Sequence, residues 1–269
     1  MSAFDLTGCH ALITGASAGI GREFARQLAS RARLLVLVAR RRERLDALRD
    51  ELTRGRPNLQ VRIRKTDLGD EAQLDVLCEW IEREQIMINF LINNAGLGDF
   101  GSVATSDPER IEEILFVNMV ALTLLTRRLL PAMIAQKHGA ILNVSSSAGF
   151  LPIAGFAVYA ASKAYVTSFS EALRMELRGT GVNVTTLCPG PVHTEFTTVA
   201  RRPSSAQEAD GPEFTHVSVE QVVRAALRGV EADRALVIPG FVMKAGMAFV
   251  RLTPMPLLRF ASRFSAKRI

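Results

Sequence analysis

The 269-residue sequence contains little cysteine and little histidine. The three cysteines, Cys9, Cys78 and Cys188, lie far apart without CxxC or metal-ligand spacing, and the four histidines are equally scattered. An odd, widely spaced set of cysteines is typical of reduced thiols and not of a disulfide framework. The sequence therefore predicts neither disulfides nor a metal site.

The sequence also lacks a recognisable targeting segment. Its first ten residues do not combine a basic lead with an apolar stretch of signal-peptide length, and we find no later apolar run that approaches a membrane-spanning length. With 48% hydrophobic and 22% charged residues, the chain suits one compact domain with a sizeable core. We therefore expect a cytoplasmic protein with a single domain.

Acidic residues are missing from the end of the sequence. No Asp or Glu follows Asp233, whereas six basic residues follow Gly240: Lys244, Arg251, Arg259, Arg263, Lys267 and Arg268. These six account for the net charge of +6, because residues 1–239 carry 27 basic and 27 acidic side chains. A charge excess confined to a tail does not favour a nucleic-acid partner. We therefore expect the main fold at residues 1–239 and a basic extension of the same domain at residues 240–269.

Short apolar runs alternate with amphipathic stretches along the chain. The runs predict strands at 10–14, 34–39, 61–65, 90–93, 140–145, 182–187 and 236–238, and the periodic stretches predict helices at 19–30, 42–54, 70–85, 108–136, 158–179 and 219–231. Such alternation is typical of a parallel sheet with helices on both faces. The sequence thus predicts an α/β fold, a Rossmann-like, doubly wound parallel sheet of about seven strands. The pattern lapses at residues 194–218, which we expect to form a substrate lid.

A glycine-rich run, TGASAGIG at residues 14–21, follows the first predicted strand and opens the first predicted helix. Gly15 allows the turn, Gly19 lets the backbone approach phosphate groups, and Gly21 permits close packing of the helix. The amides and dipole at the start of a helix favour the negative charge of a pyrophosphate. The spacing differs from the more familiar G-x-G-x-x-G, so the run predicts a dinucleotide site by analogy, with Ser17 and Ile20 as further contacts.

Two arginines stand where an acidic residue is common in dinucleotide sites. About twenty residues beyond the glycines, an NAD site places Asp or Glu on the ribose hydroxyls. Here the second predicted strand is followed by Arg40 and Arg41. Because guanidinium groups offer forked donors to phosphate oxygens, the pair predicts a clamp for the 2′-phosphate of NADP(H). A solvated helix start is the alternative interpretation.

Further motifs complete a resemblance to the short-chain dehydrogenase/reductase family that covers residues 5–239. The family's Asn-Asn-Ala-Gly motif stands at residues 93–96, and its Tyr-x-x-x-Lys motif resembles Tyr159 and Lys163. Of three successive serines, Ser146 fits the family pattern best, and Ser145 and Ser147 are the alternatives. The resemblance implies an NADP-preferring dehydrogenase or reductase whose catalytic domain is at residues 1–239.

The resemblance also implies roles for other positions. Asp67 and Leu68 look like the Asp-Leu pair that contacts adenine, and Asn118 resembles the family's helix Asn, which holds a water in a proton relay. The sequence departs from the family pattern at Ala18, where many NADP-using members have a basic residue. The predicted phosphate clamp therefore consists of Arg40 and Arg41 alone. The remaining cofactor contacts that the resemblance implies are Asn94, Ala95, Gly96, Tyr159, Lys163, Pro189, Gly190, Val192 and Thr194.

Ser146, Tyr159 and Lys163 are of the residue types that carbonyl reduction requires. Hydride addition leaves an alkoxide, and a free tyrosine with a pKa of about 10 is a poor proton donor at neutral pH. At helical spacing Lys163 lies one turn from Tyr159, so we expect its ammonium to lower the pKa of the phenol. Ser146 would donate a hydrogen bond to the substrate oxygen.

We therefore expect an NADP(H)-dependent oxidoreductase that transfers hydride between nicotinamide and a ketone or secondary alcohol. An apolar loop favours a lipophilic substrate, although its residues suit packing under the lid equally well: Phe150, Leu151, Pro152, Ile153 and Phe156. His193 and Phe196 stand at the entrance of the expected lid, and whether they face the substrate is left open. The alternative function is a redox sensor that binds NADP(H) without turnover and has no need for four catalytic residues. An isomerase or dehydratase is disfavoured by the glycine spacing and the modest length.

The basic extension alternates apolar and basic side chains. Arg259, Arg263 and Lys267 recur every four residues, opposite an apolar set: Leu257, Phe260, Ala261 and Phe264. A basic amphipathic helix suits an anionic membrane surface, and it equally suits a cover for the pocket or a subunit contact. By family resemblance we also expect a homodimer or homotetramer built on the predicted helices at 108–136 and 158–179.

Overall fold

Seven parallel strands form one sheet at the centre of the molecule. The computed structural model of the chain describes residues 4–202, 216–254, 256, 257 and 259. Across the sheet the strand order is β3-β2-β1-β4-β5-β6-β7, and all neighbouring pairs are parallel. The strands are β1 (His10–Thr14), β2 (Leu34–Ala39), β3 (Gln60–Lys65), β4 (Phe90–Asn93), β5 (Gly139–Val144), β6 (Val182–Leu187) and β7 (Leu236–Val237).

Helices connect the strands and cover both faces of this sheet. They are α1 (Gly19–Leu28), α2 (Arg42–Thr53), α3 (Glu71–Arg83), α4 (Pro108–Leu115), α5 (Leu122–Ala135), α6 (Ala157–Glu176), α7 (Glu195–Ala200), α8 (Val219–Glu231) and α9 (Phe241–Leu252). A π-helical segment, Phe116–Ala121, joins α4 to α5. One apolar core lies between the sheet and α1, α2 and α8, and the other lies between the sheet and α3, α5 and α6. The predicted single-domain Rossmann-like fold is confirmed.

Except for the edge strand β3, which is exposed or half-buried throughout, the strands are mostly apolar because both faces of the sheet are covered. In β1, Ala11 and Ile13 belong to the core under α1 and α8, whereas Leu12 belongs to the opposite core. Side chains alternate between the two faces along a strand, so a strand covered on both sides is buried at every position. All six residues of β2 are buried in this way.

The predicted strands and helices agree with the structure to within three residues at either end. Two helices were not predicted: α7 lies inside the expected lid, and α9 lies inside the basic extension. The remainder of the expected lid, residues 203–215, lies outside the described residues. Most of the amphipathic pattern predicted at residues 257–267 lies outside them as well.

Within the part of the chain that the structure describes, one helical stretch is long and apolar enough to cross a membrane. It is Pro108–Ala135, with 28 residues, and it passes this test by length and composition only. The expectation that no run approaches a membrane-spanning length is therefore wrong on that criterion. The packing is that of a core helix, because Val117, Leu125 and Met133 are buried in the core between the sheet and α3, α5 and α6.

The order of the strands changes direction beside β1. This strand pairs with β2 on one side and with β4 on the other, although β4 comes later in the chain. In open α/β sheets, ligands bind outside the carboxyl ends of the strands at such a point. The glycine-rich turn follows β1 and the Asn-Asn-Ala-Gly motif begins at the end of β4, so the fold places both beside one crevice.

Candidate active site

A cleft of about 960 Å³ lies along the carboxyl ends of the strands. All the predicted cofactor-binding residues except Gly21 line it, and so do three of the four predicted catalytic residues, Ser146, Tyr159 and Lys163. Asn118 lies behind the lining. The fold therefore brings together, in one cleft, motifs that are widely separated in the sequence.

The glycine-rich turn leaves no room for side chains on its inner side. Gly15 has a φ of +66°, in the region that favours glycine. A Cβ at Gly21 would lie 2.4 Å from the carbonyl oxygen of Gly15 and 2.5 Å from Nδ2 of Asn94. Gly21 therefore packs against the backbone of the turn and the side chain of Asn94, and it does not line the cleft.

The start of α1 suits an anionic group. The helix begins at Gly19, and in the described part of the chain no side chain caps its first turn. The first amides of a helix have no intrahelical acceptor, and they attract negative charge through the helix dipole. The uncapped helix start fits a dinucleotide pyrophosphate.

Thr14, at the end of β1, joins the glycine turn to the second motif. Its hydroxyl accepts hydrogen bonds from the backbone amides of Asn94 and Ala95, at 2.9 and 3.0 Å, and donates to the carbonyl of Ile92 at 3.3 Å. The side chain of Asn94 donates in return to the carbonyl oxygen of Thr14 at 2.8 Å. This reciprocal set fixes the ends of β1 and β4 relative to each other.

Arg40 and Arg41 lie in the cleft just beyond the end of β2. Arg41 donates to the Ser17 hydroxyl from two of its nitrogens, at 3.2 and 3.3 Å. Arg40 donates to a carboxylate oxygen of Glu113 at 2.8 Å and lies 3.7 Å from Asp67. Two guanidinium groups with a hydroxyl beside them fit a phosphate on the adenosine ribose.

Glu195, which the sequence reasoning did not identify, holds Arg41 from the other side of the cleft. One carboxylate oxygen lies 2.7 Å from Arg41 and the other lies 2.5 Å from Arg44. Hydrogen bonds from these two arginines hold the pKa of Glu195 below its usual value, so the carboxylate is charged at neutral pH. A phosphate bound at Arg41 would compete with this carboxylate. No local pattern could have predicted the pair, because its members are 154 residues apart.

Tyr159 is buried between the rings of Phe156 and Phe196, whose centroids lie 4.2 and 5.2 Å from its own. Burial raises the pKa of Tyr159 to about 12, and a hydrogen bond with Ser146 acts in the opposite direction. The hydroxyl of Ser146 also accepts a hydrogen bond from the backbone amide of Ala148 at 3.1 Å. Phenol and serine hydroxyl therefore face the same part of the cleft.

Lys163 does not lower the pKa of Tyr159 in this structure, contrary to the expectation from helical spacing. Its Nζ lies 5.7 Å from the centroid of the tyrosine ring and donates to the carbonyl oxygen of Val144 at 2.9 Å. Burial of the ammonium lowers the pKa of Lys163 itself to about 8. Desolvation therefore dominates at both groups and favours the neutral form of each.

The three successive serines differ in their partners. The buried hydroxyl of Ser145 donates to the carbonyl oxygen of Lys163 at 2.7 Å and also bonds to Thr167 at 2.8 Å, so it is used within the fold. Ser147 contributes its backbone amide to the carbonyl of Pro189. The geometry favours Ser146 over both alternatives as the serine next to Tyr159.

Asn118 is fully buried in the π-helical segment, and both the oxygen and the nitrogen of its side-chain amide form hydrogen bonds. Its Nδ2 donates to the carbonyl of Leu97 and to the hydroxyl of Ser162, both at 2.9 Å, and its Oδ1 accepts from the amide of Leu97 at 2.8 Å. The side chain therefore fixes the segment that follows the Asn-Asn-Ala-Gly motif. Its predicted role in holding a water stays a prediction.

The half of the cleft that adjoins Ser146 and Tyr159, here called the aromatic half, is lined by apolar and aromatic residues. The ring of Phe100 stacks on that of Phe156, with 3.9 Å between their centroids, and Phe156 stacks on Tyr159, against which the ring of Phe196 is tilted. The apolar residues of this half come from distant segments, which is why the sequence pattern revealed only some of them: Leu97, Phe100, Ala148, Leu151, Ile153, Phe156, Phe196, Val199, Met243 and Met247.

Parts of the predicted apolar loop lie elsewhere. Leu151, Ile153 and Phe156 line the cleft as expected, whereas Phe150 and Pro152 lie outside its lining. The Phe150 ring lies 5.7 Å from the guanidinium of Arg251 instead. Of the two residues at the expected lid entrance, Phe196 lines the cleft, and His193 forms a 2.7 Å hydrogen bond with His216.

Comparison with known proteins agrees with this site. The chain matches the family model for short chain dehydrogenases over residues 9–204. It is 37% identical over 190 residues to the NADP-dependent 3-hydroxy acid dehydrogenase of Escherichia coli, a match that covers 70% of this chain and 75% of the relative.

Two solved structures share the fold and part of the sequence. A short-chain dehydrogenase from Sphingobium yanoikuyae in complex with NADPH has a TM-score of 0.77 and 31% identity, covering 92% of this chain and 97% of that one. The bulky-bulky ketone specific alcohol dehydrogenase from Comamonas testosteroni has a TM-score of 0.74 and 29% identity, covering 92% and 95%. Relatives that use NADP or hold NADPH agree with a cleft that contains Arg40 and, bonded to Ser17, Arg41. The chain belongs to the short-chain dehydrogenase/reductase family and is an oxidoreductase that uses NADP(H).

Proposed function

We propose that the protein reduces bulky, lipophilic ketones to secondary alcohols with NADPH. The observation that carries this proposal is the apolar, aromatic half of the cleft that adjoins Ser146 and Tyr159. Ligand sites of this kind bury most of an apolar ligand and orient it through a few polar groups. The hydroxyls of Ser146 and Tyr159 are suited to orient the carbonyl.

The charges in the cleft also favour an uncharged substrate. Among the described residues that line it, the only basic side chains are Arg40 and Arg41, which follow β2, and the buried Lys163. A substrate carboxylate placed in the aromatic half would lose its hydration without gaining an ionic partner, which is costly. This feature separates the proposed substrate from the hydroxy acids that the Escherichia coli relative is named for, and it matches the bulky ketones in the name of the Comamonas enzyme.

In the proposed reaction, Tyr159 donates its phenolic proton to the carbonyl oxygen as the carbonyl carbon is reduced. The bound cofactor supplies the hydride. Ser146 donates a hydrogen bond to the same oxygen, where negative charge develops. The raised pKa of Tyr159 keeps the phenol protonated at neutral pH, and Lys163 lines the same cleft as a predicted cofactor contact. Asn118 positions the segment at Leu97 that lines the pocket.

A matched series of ketones tests the proposed substrate class. Each apolar ketone is paired with an analogue of similar size that carries a carboxylate, and kcat/KM is measured by NADPH oxidation. We expect kcat/KM to rise with apolar size, by up to about fourfold for each methylene that becomes buried, at about 0.8 kcal/mol per group. The carboxylate analogues should be poor substrates. Higher kcat/KM values for the charged analogues would contradict the proposal.

A further inference from the structure

Helix α9 has two apolar sides that face different surroundings. On one side Met243 and Met247 line the cleft, and Met247 is buried. Met243 packs closely on Gly190, where a Cβ would lie 2.9 Å from the methionine Cγ. The helix is therefore part of the pocket wall.

The other side of α9 exposes large apolar side chains. Phe241, Phe249 and Leu252 are 86%, 73% and 84% exposed as whole residues. At 100° per residue, these three positions fall on one side of the helix, roughly opposite the two methionines. Single exposed apolar residues are common, but a cluster of three on one helix face marks an interaction surface.

The charge of this region identifies the kind of partner. Residues 240–269 contain six basic residues and no Asp or Glu. Two of the six, Lys244 and Arg251, are exposed on α9 itself, beside the apolar side. Pairing this surface with the same surface of a second copy would bring like charges together. An anionic lipid surface instead complements both the basic and the apolar side chains.

We propose that the outer side of α9, formed by Phe241, Phe249 and Leu252, docks on the surface of an anionic membrane. The same helix supplies Met243 and Met247 to the pocket wall, so docking brings the pocket next to the lipid in which lipophilic ketones dissolve. The docking itself stands on the exposed side chains and the charge of α9. Only the delivery of substrate from the membrane rests on the proposed function.

Vesicle binding by the full-length protein tests the docking. Wild-type protein should sediment with vesicles of phosphatidylcholine and phosphatidylglycerol at low salt, and much less with phosphatidylcholine alone. The double variant Phe241→Ser/Phe249→Ser should lose at least about tenfold in vesicle affinity, because the apolar contribution to interfacial binding scales with buried area. A matched control is Val76→Ser on α3, which changes an apolar residue that is also largely exposed, at 61%, and should bind like wild type.

Solution activity separates docking from substrate choice. Neither Phe241 nor Phe249 lines the cleft, so the double variant should keep wild-type kcat/KM for a ketone dispersed in water. Its rate with a ketone dissolved in anionic vesicles should fall. Wild-type protein that stays in the supernatant with anionic vesicles overturns the docking proposal. A change in oligomeric mass in the double variant, with unchanged vesicle binding, also overturns it and assigns the surface to a second copy of the chain.

Discussion

Burial sets the protonation states of the two residues at the centre of the proposed chemistry. Tyr159 lies between aromatic rings and keeps its proton, with its pKa raised to about 12, whereas burial lowers the pKa of Lys163 to about 8. The spacing of the Tyr-x-x-x-Lys motif in the sequence revealed that the two residues share a helix face. It did not reveal that the Lys163 ammonium bonds to the carbonyl of Val144, at the end of β5, because that contact depends on how α6 packs on the sheet.

The lowered pKa of Lys163 predicts a pH dependence of activity. A lysine is charged below its pKa, so Lys163 loses its charge as the pH rises through about 8 and then no longer attracts the anionic cofactor, for which it is a predicted contact. We expect kcat/KM for NADPH, measured by NADPH oxidation at a low, fixed ketone concentration, to fall above that pH. A fall only above about pH 10, where an unperturbed lysine titrates, would contradict this assignment.

The ion pair between Glu195 and Arg41 predicts an effect on cofactor affinity. In Glu195→Gln the 2′-phosphate no longer competes with a carboxylate for Arg41, so NADPH should bind more tightly. Exposed ion pairs contribute about 0.2–1 kcal/mol, which corresponds to an increase of up to about fivefold. Affinity for NADH, which has no 2′-phosphate, should stay unchanged. Both affinities can be measured by titrating nicotinamide fluorescence at low salt.

Glu51→Gln is the matched control for this prediction. Glu51 also pairs with two arginines, Arg22 and Arg26, but it lies outside the lining of the cleft. This variant should bind both cofactors like wild type. Equal tightening of NADPH and NADH in Glu195→Gln would show that the carboxylate does not compete with the 2′-phosphate.

At the scale of secondary-structure elements, the glycine turn at the start of α1 is the most constrained part of the site. A methyl group at position 21 would overlap the carbonyl of Gly15 and the side chain of Asn94. Gly21→Ala should therefore destabilise the protein by about 1–3 kcal/mol, as overpacking does, and weaken NADPH binding. Chemical denaturation and a cofactor titration measure the two effects.

Gly246→Ala provides the comparison for this change. Gly246 lies within α9, and a Cβ there would meet none of the described atoms within 4 Å. Because alanine is favoured over glycine inside a helix by about 1 kcal/mol, this variant should be as stable as wild type or slightly more stable. If Gly21→Ala is as stable as Gly246→Ala, the close contacts of the turn do not constrain it.

Most elements could be predicted from the sequence because each strand or helix carries its own pattern over many residues. Helix α7 was missed because six residues, Glu195–Ala200, are too few to show a helical period. Helix α9 was missed because it has apolar side chains on two sides and therefore no single apolar stripe. The site motifs are local and were readable, whereas the contributions of Glu195, Met243 and Met247 exist only after distant segments pack together.

At the scale of the whole molecule, the long helical stretch from α4 to α5 leaves apolar side chains exposed. Leu115, Val120 and Leu124 are each between 37% and 40% exposed, on a stretch that packs in the core through other residues such as Val117 and Leu125. By family resemblance we expect this surface to form a homodimer or homotetramer. The wild-type protein should therefore have a molar mass of two or four times 29.4 kDa by light scattering.

A charge on that surface should dissociate the oligomer. Leu124→Glu would place a carboxylate in an apolar interface, where it loses hydration without a partner, so the molar mass should fall. Val76→Glu on α3 changes a residue that is more exposed than Leu124 and should leave the mass unchanged. A wild-type protein with the mass of one chain would contradict the expected assembly.

The central claim is that the separated motifs form one catalytic site in which Tyr159 protonates the substrate. The most direct test compares NADPH oxidation by the wild type and by Tyr159→Phe, at saturating concentrations of a bulky apolar ketone, with NADPH affinity measured on both proteins. The account predicts turnover by the wild type, a loss of about 10²-fold or more in Tyr159→Phe, as expected when a general acid is removed, and unchanged NADPH affinity. Undiminished turnover in Tyr159→Phe would contradict the account, and NADPH binding without turnover of any ketone by the wild type would favour the redox sensor.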